Sequence, residues 1–91
     1  MLYTFSKAYY DLEELQQTLD LLTEKDAVVL WQDGVLLAIK HTEVFRSIDN
    51  IFLLENDITA RGLTTISPEI PLISLKEFVR LTEHYYPQIA F

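Results

Sequence analysis

IFLLENDITARGL, Ile51 to Leu63, is a run of four apolar side chains that breaks off into a polar, helix-capping segment. A strand covered on both faces has no polar alternate positions, so this abrupt change marks a buried parallel strand delivering a loop to the carboxyl edge of an α/β sheet. Within ENDITARGL, Asn56 or Asp57 is the expected cap of a single helical turn and Gly62 its expected end. Asp57 and Arg61 have the i, i+4 spacing of an ion pair on one helix face. Arg61 at a strand's carboxyl edge is also a candidate for orienting a partner's loop or an anion.

Working outward, three more strands are expected. Leu2 to Phe5 is short, and Ala27 to Trp31 is continuously apolar and rich in Val and Leu. Ile70 to Ser74 contains Pro71, which cannot donate to a ladder and so predicts an edge position or a strand start. Between the first two, Asp11 to Glu24 reads as an amphipathic helix with Leu12, Leu15, Leu19 and Leu22 on one stripe and Asp11 as N-cap. Asp33-Gly34 is a hairpin signal, but Val35 to Ile39 do not alternate, which favours strand, turn and one or two helices. Ser74 caps a last helix, Leu75 to Tyr86, stopped by Pro87. Four βα units predict an α/β domain over residues 1–91: a small four-stranded parallel sheet with helices on both faces, in the flavodoxin-like order 2-1-3-4.

The composition narrows the chemistry. Ninety-one residues suffice for one core, yet 49 % are hydrophobic, more apolar surface than an isolated domain of this size hides comfortably. A subunit of a larger assembly is the expectation. A net charge of −7, with seven basic residues scattered among fourteen acids, argues against direct contact with nucleic acid. No apolar run approaches a membrane span, and the first residues lack the basic-then-apolar pattern of a secretory signal, so a cytoplasmic location is expected. With no cysteine, there are no disulfides, thiolate metal sites or persulfide chemistry on this chain.

Other chemistries find little footing. His41 and His84 lack metal-ligand spacing, no serine stands in a nucleophile elbow, and two glycines cannot build a phosphate cradle. No catalytic, cofactor or metal residue is expected. An autonomous enzyme using these histidines or carboxylates as acid and base is the weaker alternative. The aromatics Tyr9, Tyr10, Trp31, Tyr85, Tyr86 and Phe91 are too many for so small a core. The C-terminal YYPQIAF is either folded back over its own sheet or inserted in a neighbour. Tyr85, Tyr86 and Phe91, with Asp57 and Arg61, are the expected interface residues.

The strand ending in QDGV (Gln32 to Val35), the ENDITARGL segment and PLISLKEFVRLT (Pro71 to Thr82) together resemble the TusB/DsrH family, with DsrEFH-like α/β domains, over essentially the whole chain. The resemblance implies a non-catalytic accessory subunit of a sulfur-relay complex supporting 2-thiolation of the wobble uridine of tRNA. It further implies a heterohexamer with two copies each of this chain and of TusC-like and TusD-like homologues, the reactive cysteine lying on the TusD-like subunit. Some DsrH-type members carry a cysteine in the first helix, near the position of Thr18, and a hydroxyl there cannot hold a persulfide. The competing reading is a homo-oligomeric regulatory or interaction module with no role in sulfur transfer.

Overall fold

The computed structural model describes residues 1–64 and 69–91. Five parallel strands form its sheet: β1 (Leu2–Phe5), β2 (Ala27–Leu30), β3 (Ile51–Leu54), β4 (Leu72–Ile73) and β5 (Gln88–Ala90). The order across the sheet is β4-β3-β2-β1-β5. Two expectations are thereby corrected. The sheet has five strands rather than four, and β3 lies beside β2 rather than beside β1, so the order 2-1-3-4 does not hold. The segment after Pro87 supplies the missing strand, pairing Leu2 with Gln88, Tyr3 with Ile89 and Thr4 with Ala90. It occupies the side of β1 that the flavodoxin-like order assigns to β3.

Connection handedness explains which helices cover which face. The chain steps from β1 to β4 in one direction, one strand at a time, and right-handed crossovers then place all the intervening helices on one face. These are α1 (Leu12–Asp20), α2 (Val35–Lys40), α3 (Thr42–Phe45) and α4 (Glu55–Ala60). Their Leu15, Leu19, Leu37, Ala38, Phe45 and Ile58 pack on Tyr3, Phe5, Val28, Leu30, Ile51 and Leu53. From β4 the chain returns across the whole sheet, so α5 (Leu75–His84) lies on the opposite face. Its Phe78, with Leu81 and Tyr85, packs on Leu2, Ala27, Val29, Leu54 and Ile73. Strands β1, β2 and β3 thus send alternate side chains into two cores, which is why β1 and β2 read as unbroken apolar or small runs.

Local chemistry sets the element ends. Asp11 caps α1, accepting hydrogen bonds from the backbone N–H groups of Glu13 at 2.9 Å and Glu14 at 3.2 Å. The helix stops at Asp20, short of the expected Glu24, because Asp26 draws Thr23 into a turn through both its N–H and its hydroxyl. Ser74 and Glu77 form a capping box on α5. That helix ends at His84, not Tyr86: the residue before a proline avoids the helical region, and Tyr85 is already extended. Strand β4, short and introduced by Pro71, is an edge strand as its sequence predicts.

Candidate functional site

At the carboxyl ends of β2 and β3, two connections that are distant in sequence are tied together. Strand β2 runs through Trp31 into a 3₁₀ turn, Gln32–Gly34, that leads directly into α2. Strand β3 runs directly into α4, with Leu54 at the N-cap position and no side-chain cap. Neither Asn56 nor Asp57 caps this helix, contrary to the sequence-based expectation. Asp57 is engaged elsewhere: its Oδ2 accepts the backbone N–H of Gln32 at 2.6 Å.

Arg61 closes the arrangement from the end of α4. Its Nε and Nη2 donate to Asp33 Oδ1 at 3.2 and 2.8 Å, and its Nη1 donates to the Asp57 carbonyl and to Asp57 Oδ1, both at 3.3 Å. Hydrogen bonding to Asp33, reinforced by both carboxylate charges, raises the Arg61 pKa, so this guanidinium stays charged. The i, i+4 pair expected from sequence is present, and Asp33 and the Gln32 backbone are the members that sequence reading missed. Asp-Gly announced a turn there, but nothing local announced its partner in the next βα unit.

The turn so held is conformationally costly. Gln32 has φ +52°, in the left-handed region that a side chain with a Cβ disfavours. Gly34 sits against the end of β1, where a Cβ would come 1.9 Å from the Phe5 carbonyl oxygen. Three contacts therefore fix one exposed turn: the Asp57 carboxylate on Gln32, the Arg61 guanidinium on Asp33, and the close approach of Gly34 to β1. Such over-determination of a strained segment is typical of positions where a loop must present a defined shape. Chemically, the cluster offers a positioned acidic surface at Asp33 rather than a nucleophile or a proton relay. Four hydrogen bonds engage Arg61's five N–H donors, so most of its capacity to bind an incoming anion is already taken by Asp33 and Asp57.

The other expected interface residues fall at the opposite side of the sheet. Phe91 lies against its own chain, with its ring stacked on Phe5 at 4.8 Å and on Tyr3 at 6.2 Å. The hydroxyl of Tyr10 accepts the N–H groups of Ser6 and Lys7 and donates to the Phe91 carbonyl at 2.9 Å. Tyr85 packs under α5, whereas Tyr86 is 75 % exposed. Asp57 and Arg61 are thus brought together, whereas the tail aromatics separate, Tyr85 joining the core under α5, Phe91 the core on the other face and Tyr86 standing exposed. Thr18 is half-buried on α1, and its hydroxyl donates to the Glu14 carbonyl one turn back. Among the described residues, no three His, Asp or Glu side chains are placed to share a metal ion, and no helix is long and apolar enough to cross a membrane.

Fold and site together define a small parallel α/β domain whose carboxyl edge is braced by an ion-pair clamp. Residues 7–88 match the family model described as DsrH like protein, and the chain belongs to this family. An uncharacterized protein of Haemophilus influenzae is 51 % identical over 94 residues, with 99 % of each chain covered. Protein TusB of Yersinia pestis is 41 % identical over 96 residues, covering all of both chains. Among solved structures, the solution NMR structure of protein Tm0979 from Thermotoga maritima superposes with a TM-score of 0.65. It is 27 % identical in sequence, with 91 % of this chain and 92 % of that one covered.

Proposed function

We propose that this chain is a non-catalytic accessory subunit of a sulfur-relay complex that supports 2-thiolation of the wobble uridine of tRNA. The full-length similarity to proteins named TusB carries the reading. The lack of any cysteine supports a role without covalent sulfur, since a persulfide needs a sulfur to form on. In this reading the chain packs beside TusC-like and TusD-like homologues, two copies of each, in the cytoplasm. It orders the active loop of the cysteine-bearing subunit and keeps water from its persulfide, with no direct contact to tRNA.

The braced Gln32–Gly34 turn, with Asp57 and Arg61 behind it, is the surface we assign to a neighbouring subunit's loop, and exposed Tyr86 is a second anchor of the kind favoured at interfaces. Tyr85 and Phe91 support the tail from within. The test is a pull-down from the native cytoplasm with tRNA thiolation measured in parallel. Recovery of two homologous α/β subunits, and loss of thiolated uridine when this chain is deleted, are expected. Failure to recover either subunit, or unchanged thiolation after deletion, rejects the proposal. So does a reductant-sensitive covalent adduct of labelled sulfane sulfur on the purified chain.

A further inference from the structure

The two carboxylates that Arg61 bridges are used unequally. Asp57 commits both oxygens within its own chain, Oδ2 to the Gln32 N–H and Oδ1 to Arg61. Asp33 commits only one. Nε and Nη2 of Arg61 both converge on its Oδ1, at 3.2 and 2.8 Å, and among the described residues nothing donates to its Oδ2. An ionised carboxylate accepts at about four lone-pair sites, so about half of this capacity is left over. The Asp33 side chain is 63 % exposed against 19 % for Asp57, which makes Asp33 the carboxylate open to a neighbour.

Its mounting separates it from an ordinary surface aspartate. The backbone of the turn is fixed by the hydrogen bond from Gln32 to Asp57 and by the approach of Gly34 to β1, and Arg61 fixes the Asp33 side chain itself. A free aspartate loses rotamer freedom when it binds. This one has lost it already, so a contact at Oδ2 carries little ordering cost. The surrounding charge sets the sign of what fits. Arg61 is the sole cation within ion-pair reach of Asp33 among the described residues, and the exposed Glu55 at the start of α4 adds a further negative charge to this edge of the sheet. An incoming anion meets Asp33 and Glu55 and finds most of the Arg61 donors taken, whereas a cation meets an acceptor already in position.

We infer that Asp33 Oδ2 takes a cationic side chain, lysine or arginine, from the neighbouring subunit's loop, and that Arg61 stands behind it as a positioning residue. The inference rests on the accessory-subunit reading and adds to it the chemistry of the partner's contact. The contact is a charge-assisted hydrogen bond at the rim of an interface, which sets the rate of encounter and the choice of partner more than the final affinity. A neighbour that presents a carboxylate at this place is rejected by like charge.

Binding kinetics test this, with the full-length chain immobilised and the homologous subunits supplied from cells deleted for it, at low and high salt. Wild-type association is expected to be fast at low salt and to slow as salt rises. Asp33→Asn keeps the shape and removes the charge, so it should associate about fivefold more slowly at low salt and lose most of the salt dependence. Arg61→Gln removes the brace and leaves the Asp33 charge. It should raise the dissociation rate while association at low salt stays at least as fast as in the wild type. Hydrogen exchange at residues 32–34 shows how far each variant loosens the turn, and a purely structural role for Asp33 makes the binding loss follow that loosening alone. The inference is overturned if Asp33→Asn keeps the wild-type rates, or if both variants act alike, on dissociation only, with the salt dependence intact. A wild-type chain that binds neither subunit rejects the accessory-subunit reading itself, and this contact with it.

Discussion

Arg61 Nη2 stands 2.8 Å from Asp33 Oδ1, joining the end of α4 to the turn that follows β2 across 28 positions of sequence. Because Arg61 also reaches Asp57, whose other oxygen holds the Gln32 N–H, loss of the guanidinium loosens the whole turn and not one pair alone. Arg61→Ala is expected to cost about 1 kcal/mol, the upper end for a partly exposed pair, with the loss shrinking at high salt. Urea denaturation at two ionic strengths measures both. Arg61→Lys should recover little, since one ammonium cannot span Asp33 and Asp57 as the planar fork does.

Asp57→Ala strikes the same turn from its backbone side. It leaves the Gln32 N–H without its 2.6 Å acceptor, for a loss of about 1–2 kcal/mol. Gln32→Gly should act in the opposite sense, raising stability by up to about 1 kcal/mol through release of the positive-φ strain. Hydrogen exchange at residues 32–34 should accelerate in Asp57→Ala and not in Gln32→Gly.

The two glycines separate steric from conformational cost. At Gly34 an added methyl meets backbone at 1.9 Å, so Gly34→Ala must push the turn off β1, with a loss of about 3 kcal/mol or more. At Gly62, with φ +64°, the space for a Cβ is open and only the left-handed backbone penalty applies. Gly62→Ala should therefore cost about 1 kcal/mol. Thermal melts of the two variants side by side check the ranking.

Acid lability should trace in part to the turn before β2. The Asp26 carboxylate accepts hydrogen bonds from the Thr23 backbone and hydroxyl and pairs with the Met1 amino group at 3.1 Å, and these contacts hold its pKa below the ordinary 3.8. The unfolded chain therefore takes up this proton first on acidification. The stabilisation is complete above the ordinary value and is lost as pH falls through the lower, folded one. Glu77, held down by the Ser74 N–H in the capping box, acts in the same direction. Asp26→Asn should flatten the dependence of unfolding free energy on pH in that acidic window while leaving its shape near neutrality unchanged.

The tail is a strand of the domain as well as the carrier of Tyr86. Tyr86→Ser should weaken recovery of the homologous subunits without altering the melting temperature, because the ring is largely exposed. Phe91→Ala, which unstacks Phe5 and Tyr3, should instead lower stability by about 2–3 kcal/mol. Comparing assembly and melting for both variants separates docking from folding. Truncation of the tail would confound them, since it removes β5.

The features legible in the sequence were those with local causes. Strands β1 to β3 showed as short apolar runs because burial on both faces leaves no polar positions, and Asp11, Ser74 and Gly62 showed as helix ends because capping is settled within a few residues. Membership of the DsrH-like family and the lack of any thiol chemistry on this chain were likewise written in residue identities. What only the tertiary structure decided was the fifth strand, the order 4-3-2-1-5, and the partnership of Asp33 and Gln32 with the end of α4. Gln88–Ala90 becomes a strand because β1 offers it an unpaired edge, and Arg61 finds Asp33 because β2 and β3 are neighbours. Such contacts are made between segments far apart along the chain, and their free energy depends on where the sheet places them.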